Sequence, residues 1–201
     1  MRHLLIYCCC FLLAACYSSG KRGGDEALAV YDLGMPAAEV SAVPLRSDLA
    51  VEVRTPLWMD SMGIEYRLLY AEPARLLTYT RARWAGSPSQ LIQRRLGERL
   101  GMMPAGQGKV LCILRIDVDA FTQVFDDPVI SRGRLQGRAQ LFGPNRLLVA
   151  AYGFTIEKPA PSADSRGGVA ALTAAVDQLA SDLAVWEKSV LGSAKGAGCT
   201  D

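Results

Sequence analysis

Histidine is almost absent from this chain. The single histidine is His3, which precedes an apolar run typical of a cleaved leader, so the mature chain is predicted to contain none. This excludes mechanisms that use an imidazole as acid, base or zinc ligand. The glycine-rich stretch GMMPAGQGK at 101–109 lacks the Gly-Lys-Ser/Thr ending of a phosphate-binding loop. We therefore expect no enzymatic activity, no metal site and no cofactor.

Neither sign of charge predominates. The chain has 22 Lys and Arg residues against 20 Asp and Glu residues, a formal net charge of +2. This balance is not that of a nucleic-acid-binding protein, which carries a strong basic excess. Because 50% of the residues are hydrophobic, the composition also differs from that of a disordered chain. A length of 201 residues predicts one domain of ordinary size.

The first sixteen residues predict a lipid anchor. Residues 4–15 form an apolar run of the length of a signal-peptide core, well short of the about 20 residues that span a bilayer. The run ends in Leu13-Ala14-Ala15-Cys16, which resembles the bacterial lipobox. The resemblance implies that residues 1–15 are removed and that Cys16 carries acyl chains such as palmitate. The alternatives are an ordinary signal peptide with an incidental cysteine, or a cytosolic protein with an apolar start.

The residues after Cys16 predict where the domain is held. Residues 16–26 are rich in glycine and serine, as in a flexible tether. Tyr17 stands where an aspartate would be expected for inner-membrane retention, a pattern that resembles outer-membrane sorting in enteric bacteria. We therefore expect a periplasmic domain anchored to the outer membrane of a Gram-negative bacterium.

Few cysteines remain after this processing. Cys8, Cys9 and Cys10 leave with the leader, so only Cys112 and Cys199 follow the anchor. Residues 192–201 are predicted to form a flexible tail, whereas Cys112 lies in an apolar, strand-like run. The sequence favours two unpaired thiols over a disulfide, because a bridge would have to fix that tail to a strand.

The hydrophobic pattern predicts an α+β fold: a mainly antiparallel sheet packed by two helices, in a single small domain over 27–191. A first helix is expected over 88–100, with Ser87 as its cap and Gly101 as its stop. A long amphipathic helix is expected near the end, with its apolar stripe over 169–190 on the sheet. Strands are predicted at 28–33, 49–54, 65–70, 75–79, 114–120, 133–141 and 146–156.

Two groups of side chains are candidates for a functional site. The predicted loop at 55–63 carries Trp58, Met59 and Met62, which either fold back on the core or form an apolar surface for a partner. Asp117 and Asp119 share one strand face, where a cation or a substrate is conceivable. Ion pairing with arginines on the same face is the favoured interpretation of these carboxylates.

The order of the motifs resembles a known family. The lipobox is followed by YDLG at 31–34, VEVRTPLWMDSMGIEYR at 51–67, LTYTRARWAGSPSQLIQRRL at 77–96 and VAALTAAVDQLASDLA at 169–184. This series is similar to that of the ABC-type transport auxiliary lipoproteins, which include the lipoprotein subunit of the paraquat-inducible lipid-transport system.

The resemblance implies a periplasmic, non-enzymatic component that works with an MCE-domain protein, an ABC permease and an ATPase. Such a system moves lipids or other hydrophobic molecules across the envelope. The auxiliary component would act by docking, with Trp58, Met59 and Met62 as the candidate contacts, and a homo-oligomer is left open. The rival hypothesis is an envelope scaffold or a regulator of peptidoglycan synthesis.

Overall fold

A mixed sheet with two helices forms the described part of the protein. The computed structural model describes residues 27–35, 43–107, 109–193 and 196–199. The predicted leader, tether and lipidation site Cys16 lie outside the described residues. The α+β class is confirmed. The strands are β1 Ala29–Tyr31, β2 Leu49–Arg54, β3 Gly63–Leu68, β4 Leu77–Trp84, β5 Met103–Pro104, β6 Cys112–Phe125, β7 Ser131–Phe142 and β8 Leu148–Pro159, and the helices are α1 Pro88–Leu100 and α2 Ser165–Leu191.

Strand β6 organises the eight-stranded sheet. Along one edge it pairs with the antiparallel β7, which pairs in turn with β8. Along the other edge it pairs with two strands in succession, first β2 and then β3, and both run parallel to it. The sheet is completed by β4 beside β3, β1 beside β4, and β5 beside β2. The predicted 65–79 hairpin and the meander from β6 to β8 are therefore confirmed, but the sheet is mixed.

The parallel pairings have a simple origin. Parallel neighbours need a crossover connection, because a tight turn can join only antiparallel strands. The stretch from the end of β2 to the start of β6 contains the β3–β4 hairpin and α1, so it is long enough to bring β6 back beside β2 in the same direction. The prediction of a mainly antiparallel sheet was based on the alternation of apolar and polar residues along single strands. That alternation does not indicate the direction of the neighbouring strand.

A β-bulge changes the inward face of β6. The alternation of apolar and charged residues over 114–120 predicts that Leu114, Ile116, Val118 and Ala120 face the core. The first three are buried, but the register shifts between Val118 and Ala120. One extra residue reverses the alternation of side chains. Ala120 was expected in the core, and Phe121 takes that place instead with 2% of its surface exposed.

Helix α1 has the predicted bounds. Pro88 occupies the first turn, and Gly101 ends the helix with φ of 66°. Glycine is needed here because a side chain in this left-handed region is strained, and a Cβ would also lie 2.4 Å from the Pro44 carbonyl oxygen. Ser87 does not cap the helix through its side chain. Its hydroxyl lies 3.0 Å from that of Ser89.

Helix α2 covers the sheet across β6, β7 and β8. Asp164 caps its start by accepting a hydrogen bond from the Gly167 amide at 2.8 Å. The predicted stripe is buried, with Leu172, Val176, Leu179 and Leu183 each 0% exposed. By length and composition α2 would also suit a membrane span, but its apolar face is packed on the sheet. It is therefore the core helix of a folded domain.

Truncating a buried side chain of this apolar stripe is expected to destabilise the protein. Leu183→Ala removes buried methyl groups and leaves a cavity under α2, so the free energy of unfolding should fall by about 2–5 kcal/mol. Val185→Ala is the matched control, because Val185 lies two residues along the same helix and is 74% exposed. Urea denaturation measures both variants, and an equal, small loss in each would contradict the packing described here.

Candidate partner-binding surface

The segment between β2 and β3 leaves the sheet because of the strand arrangement. Both strands pair with the same edge of β6, so the residues between them must bulge outward before the chain rejoins that edge. Within the segment Leu57–Met59 forms a short 3₁₀ helix. The Met59 amide donates to the Pro56 carbonyl at 2.9 Å, and the Asp60 amide donates to the Leu57 carbonyl at 3.2 Å.

The predicted site residues do not share one environment. Trp58 is 53% exposed and Met62 is 46% exposed, but Met59 is only 1% exposed. In a 3₁₀ helix there are three residues per turn, so consecutive side chains point in different directions. Met59 therefore enters the core while its neighbours face outward. The expectation that Met59 is a surface contact for a partner is therefore wrong.

Leu57 is the apolar residue that the prediction missed. It is 94% exposed, directly before Trp58 in the 3₁₀ helix. No strong signal in the local sequence marks the 3₁₀ helix that exposes this side chain. We call the exposed side chains Leu57, Trp58 and Met62 the Trp58 patch.

The segment that carries the Trp58 patch is held against the hydrophobic core. Met59 belongs to the main hydrophobic core, which also contains Trp84 and Phe121. The rings of Trp84 and Phe121 stack with centroids 5.5 Å apart. The Trp84 amide donates to the Met62 carbonyl at 2.7 Å. The Trp58 patch is thus presented by a segment that is tied to the core at both Met59 and Met62.

A second anchor joins the segment to helix α1. The Ser89 hydroxyl donates to the Asp60 carboxylate at 3.2 Å, and the Gly63 amide donates to the Ser61 hydroxyl at 3.3 Å. The polar side chains of the segment thus form their hydrogen bonds with other residues of the same chain. The side chains of the segment that remain available for contact with another molecule are therefore mainly apolar. This composition suits a protein–protein interface better than a site for a polar substrate.

A buried carboxylate lies just beyond the segment. Glu65 on β3 is 7% exposed, and its Oε2 atom has no hydrogen-bond partner among the described residues. Burial raises the pKa of Glu65, and the nearby charge of Arg67 opposes this effect only in part. Desolvation therefore favours the neutral form of the Glu65 carboxyl group over its charged form.

The predicted pair of carboxylates is separated by the bulge. Asp117 lies opposite Arg138 of β7 and Arg54 of β2, whereas Asp119 is exposed beside the register shift. Arg115 lies on the same face of β6 as Asp117, but it donates to the Glu52 carboxylate at 2.9 Å. In the described part of the chain, no three His, Cys, Asp or Glu residues lie together as metal ligands.

The two late cysteines form a disulfide. Cys112 and Cys199 are bonded, with Cα atoms 5.5 Å apart, so the expectation of unpaired thiols is wrong. Ala197–Cys199 forms a short 3₁₀ helix, and Cys199 is 1% exposed. The residues after α2 thus return to the start of β6, where the buried Cys199 sulfur is bonded to that of Cys112.

Comparison with known proteins gives a family and a fold. The family model for the ABC-type transport auxiliary lipoprotein component matches residues 31–184. The chain is also similar to a crystal structure of a Xanthomonas campestris protein assigned to the DUF330 family, with 22% identity, a TM-score of 0.64, and coverage of 81% of this chain and 96% of that one. A second crystal structure, titled only as an uncharacterized protein, has 18% identity, a TM-score of 0.62, and coverage of 80% and 99%.

These two structures share the fold at low identity. The comparison with curated proteins finds no significant match. The family model, in contrast, begins at the last residue of β1 and ends at residue 184 within α2. It includes β2 to β8, α1 and the segment that carries the Trp58 patch. The chain therefore belongs to the ABC-type transport auxiliary lipoprotein component family.

Proposed function

We propose that this protein is the lipid-anchored, non-enzymatic auxiliary component of an MCE-type ABC transport system. In this proposal it moves no cargo by its own chemistry and instead docks to partner subunits through the Trp58 patch. The MCE-domain protein is the direct contact, and a permease and an ATPase complete the system. The cargo is a lipid or another hydrophobic molecule. The observation that carries the docking proposal is the exposed Trp58 on a segment fixed to the core.

Two features support an envelope location outside the cytoplasm. The lipobox ending in Cys16 predicts an anchor on the membrane surface, and Tyr17 favours the outer membrane. The Cys112–Cys199 disulfide is independent support, because such bonds persist in oxidising compartments such as the bacterial periplasm. A periplasmic domain on a short tether can reach a partner that extends from the opposite membrane.

The Trp58 patch has the composition of an interaction surface. Tryptophan and methionine are enriched at protein interfaces, and a central tryptophan often contributes a large part of the binding free energy. Since Met59 and Met62 hold the segment in place, binding does not require the loop to become ordered, which reduces the entropic cost of association. These arguments favour docking over a catalytic role for this part of the chain.

The test is a charge placed in the Trp58 patch. Trp58→Asp should weaken binding to the MCE-domain partner at least about tenfold, since truncation of a central aromatic residue costs about 2 kcal/mol or more. Binding of the two purified proteins is measured by biolayer interferometry, with thermal unfolding as the check on folding. Leu147→Asp is the matched control, because Leu147 is 70% exposed in the β7–β8 turn, outside the Trp58 patch.

Two results would contradict this docking proposal. The first is normal binding by a folded Trp58→Asp variant. The second is loss of transport in a folded Asp117→Ala variant that still binds its partner, because that outcome would indicate a carboxylate-dependent site on the sheet.

A further inference from the structure

One end of the sheet carries another group of exposed apolar side chains. In the turn between β6 and β7, Val129 is 77% exposed and Ile130 is 58% exposed. Tyr70, which follows β3, is 48% exposed. The turn and Tyr70 lie at the same end of the sheet because β3 runs parallel to β6, with Leu68 opposite Phe125. We call Tyr70, Val129 and Ile130 the Val129 tip.

The polar groups of the turn are bonded within the chain. The Asp127 carboxylate accepts hydrogen bonds from the Val129 amide at 2.7 Å and from the Ile130 amide at 2.8 Å. The Asp126 amide donates to the Ile130 carbonyl at 3.1 Å, and the Asp126 carboxylate pairs with Arg132. Because these groups already have partners, the turn can leave water at a smaller cost than a turn with unpaired polar groups.

The first described residues enter the sheet from the same end. β1 runs parallel to β4, and β4 runs antiparallel to β3. The chain therefore approaches β1 from the end of the sheet at which β3 finishes and the Val129 tip lies. Ala27 also lines a small pocket with Asp164, Ser165 and Arg166 at the start of α2. That helix follows β8, whose last residue pairs with Arg132 next to the turn.

The length of chain before Ala27 limits how far this end can be from a membrane. Residues 17–26 join Ala27 to the proposed anchor at Cys16, and a chain of this length spans at most about 40 Å. β7 has 12 residues and is itself about 40 Å long. The end of the sheet that carries the Val129 tip is thus the end attached to the anchor, and the β7–β8 turn lies one strand length farther away.

We propose that the Val129 tip enters the interfacial region of the bilayer to which Cys16 anchors the chain. This proposal rests on the proposed lipid anchor, which holds the tip close to the lipid. Exposed aliphatic side chains are favoured at the boundary between headgroups and acyl chains, and tyrosine is enriched at the same depth. The tip would give the domain a second contact with the membrane besides the acyl chains.

This second contact would orient the domain for docking. The Trp58 patch lies at the opposite end of the β3–β4 hairpin, where the Trp84 amide is bonded to the Met62 carbonyl. With the Val129 tip in the membrane, the Trp58 patch faces away from the lipid and toward a partner that extends from the other membrane.

Fluorescence at single positions tests the insertion. In the predicted mature chain Cys16 is acylated and Cys112 is bonded to Cys199, so Val129→Cys supplies a single thiol for an NBD label. The full chain is reconstituted in vesicles of phosphatidylethanolamine and phosphatidylglycerol. Leu147→Cys is the matched control, an aliphatic position that is 70% exposed in the turn at the other end of β7. A lipid spin-labelled near its headgroup should quench position 129 at least about fivefold more strongly than position 147, since inserted apolar surfaces lie about 5–10 Å into the interface.

A charge at the tip tests the apolar nature of the contact. In a chain labelled at Ile130→Cys, the additional change Val129→Asp should reduce quenching to the level seen at Leu147→Cys, because a carboxylate is strongly disfavoured among acyl chains. Thermal unfolding checks that these variants remain folded. Val129→Asp should leave binding to the MCE-domain partner unchanged, because the Trp58 patch lies at the other end of the hairpin.

Flotation of the vesicles separates failure of the anchor from failure of the tip. A chain that floats with the vesicles but is quenched equally at 129 and 147 would overturn the tip proposal and leave the anchor in place. A chain that does not float would contradict the anchor and the tip together. Loss of partner binding by a folded Val129→Asp variant would also overturn the proposal, because it would show that the tip contacts the partner and not the lipid.

Discussion

Cys16→Ser is expected to remove the protein from the membrane fraction, or to leave it as a precursor that retains residues 1–15. The thiol of Cys16 is the proposed attachment point for the acyl chains, and serine does not supply it. Each buried methylene contributes about 0.8 kcal/mol, so one acyl chain binds a membrane only marginally while several hold a protein firmly. The effect should therefore be a nearly complete loss of membrane association.

Fractionation and mass spectrometry measure this result. Cys10→Ser is the matched control, since Cys10 lies within the leader and its replacement should leave the anchor unchanged. Intact native protein that keeps residues 1–15, or whose Cys16 carries no lipid, would show that the anchor assignment is wrong. Recovery of the native protein with the inner membrane would contradict only the narrower proposal based on Tyr17.

The elements that were predicted well are those with local signals. α1 has its predicted bounds, because Pro88 and Gly101 mark its ends by restrictions on their own backbones. β2 also has its predicted bounds. Strand pairing is different, because it joins residues that are distant in sequence. The parallel contacts of β6 with β2 and β3 and the bulge at Asp119 therefore appear only in the structure.

The candidate site also combines features that local sequence signals predict with features that they do not. The sequence identified the segment that carries Trp58, but it could not separate Trp58 from Met59. That separation depends on a 3₁₀ helix with no strong local signal. The disulfide escaped prediction for a related reason, because Cys112 and Cys199 are 87 residues apart. Only the return of the chain after α2 to the start of β6 brings the two sulfurs together.

Asp177→Ala is expected to cost about 3–5 kcal/mol of unfolding free energy at neutral pH, as removal of one partner of a buried ion pair does elsewhere. Arg95 of α1 is 4% exposed and contacts both carboxylate oxygens of Asp177 on α2, at 2.8 Å each. Arg99 donates to the same carboxylate at 3.1 Å. Without Asp177, the Arg95 charge would remain buried between the helices and lose its main acceptor.

The control for Asp177→Ala is a second ion pair that involves α1. Glu98→Ala removes a partner of Arg94, at an N–O distance of 3.9 Å with side chains that are 53% and 44% exposed. Solvent screens this pair, so its loss should change the unfolding free energy by no more than about 0.5 kcal/mol. Chemical denaturation of both variants at pH 7 makes the comparison. Equal losses of unfolding free energy would show that Asp177 contributes no more to stability than an exposed ion pair does.

The contribution of Asp177 should also depend on pH in one direction. Burial opposes ionisation of its carboxyl group, but hydrogen bonds from Arg95 and Arg99 outweigh this effect and hold the pKa below the usual value of 3.8. A carboxyl group whose pKa is lower in the folded state stabilises that state above its unfolded pKa. The stabilisation is lost as the pH falls through the folded pKa. The difference between the native chain and Asp177→Ala should therefore be full at pH 7 and shrink below about pH 4, whereas a constant difference down to pH 2 would mean that the carboxylate charge is not what joins α1 to α2.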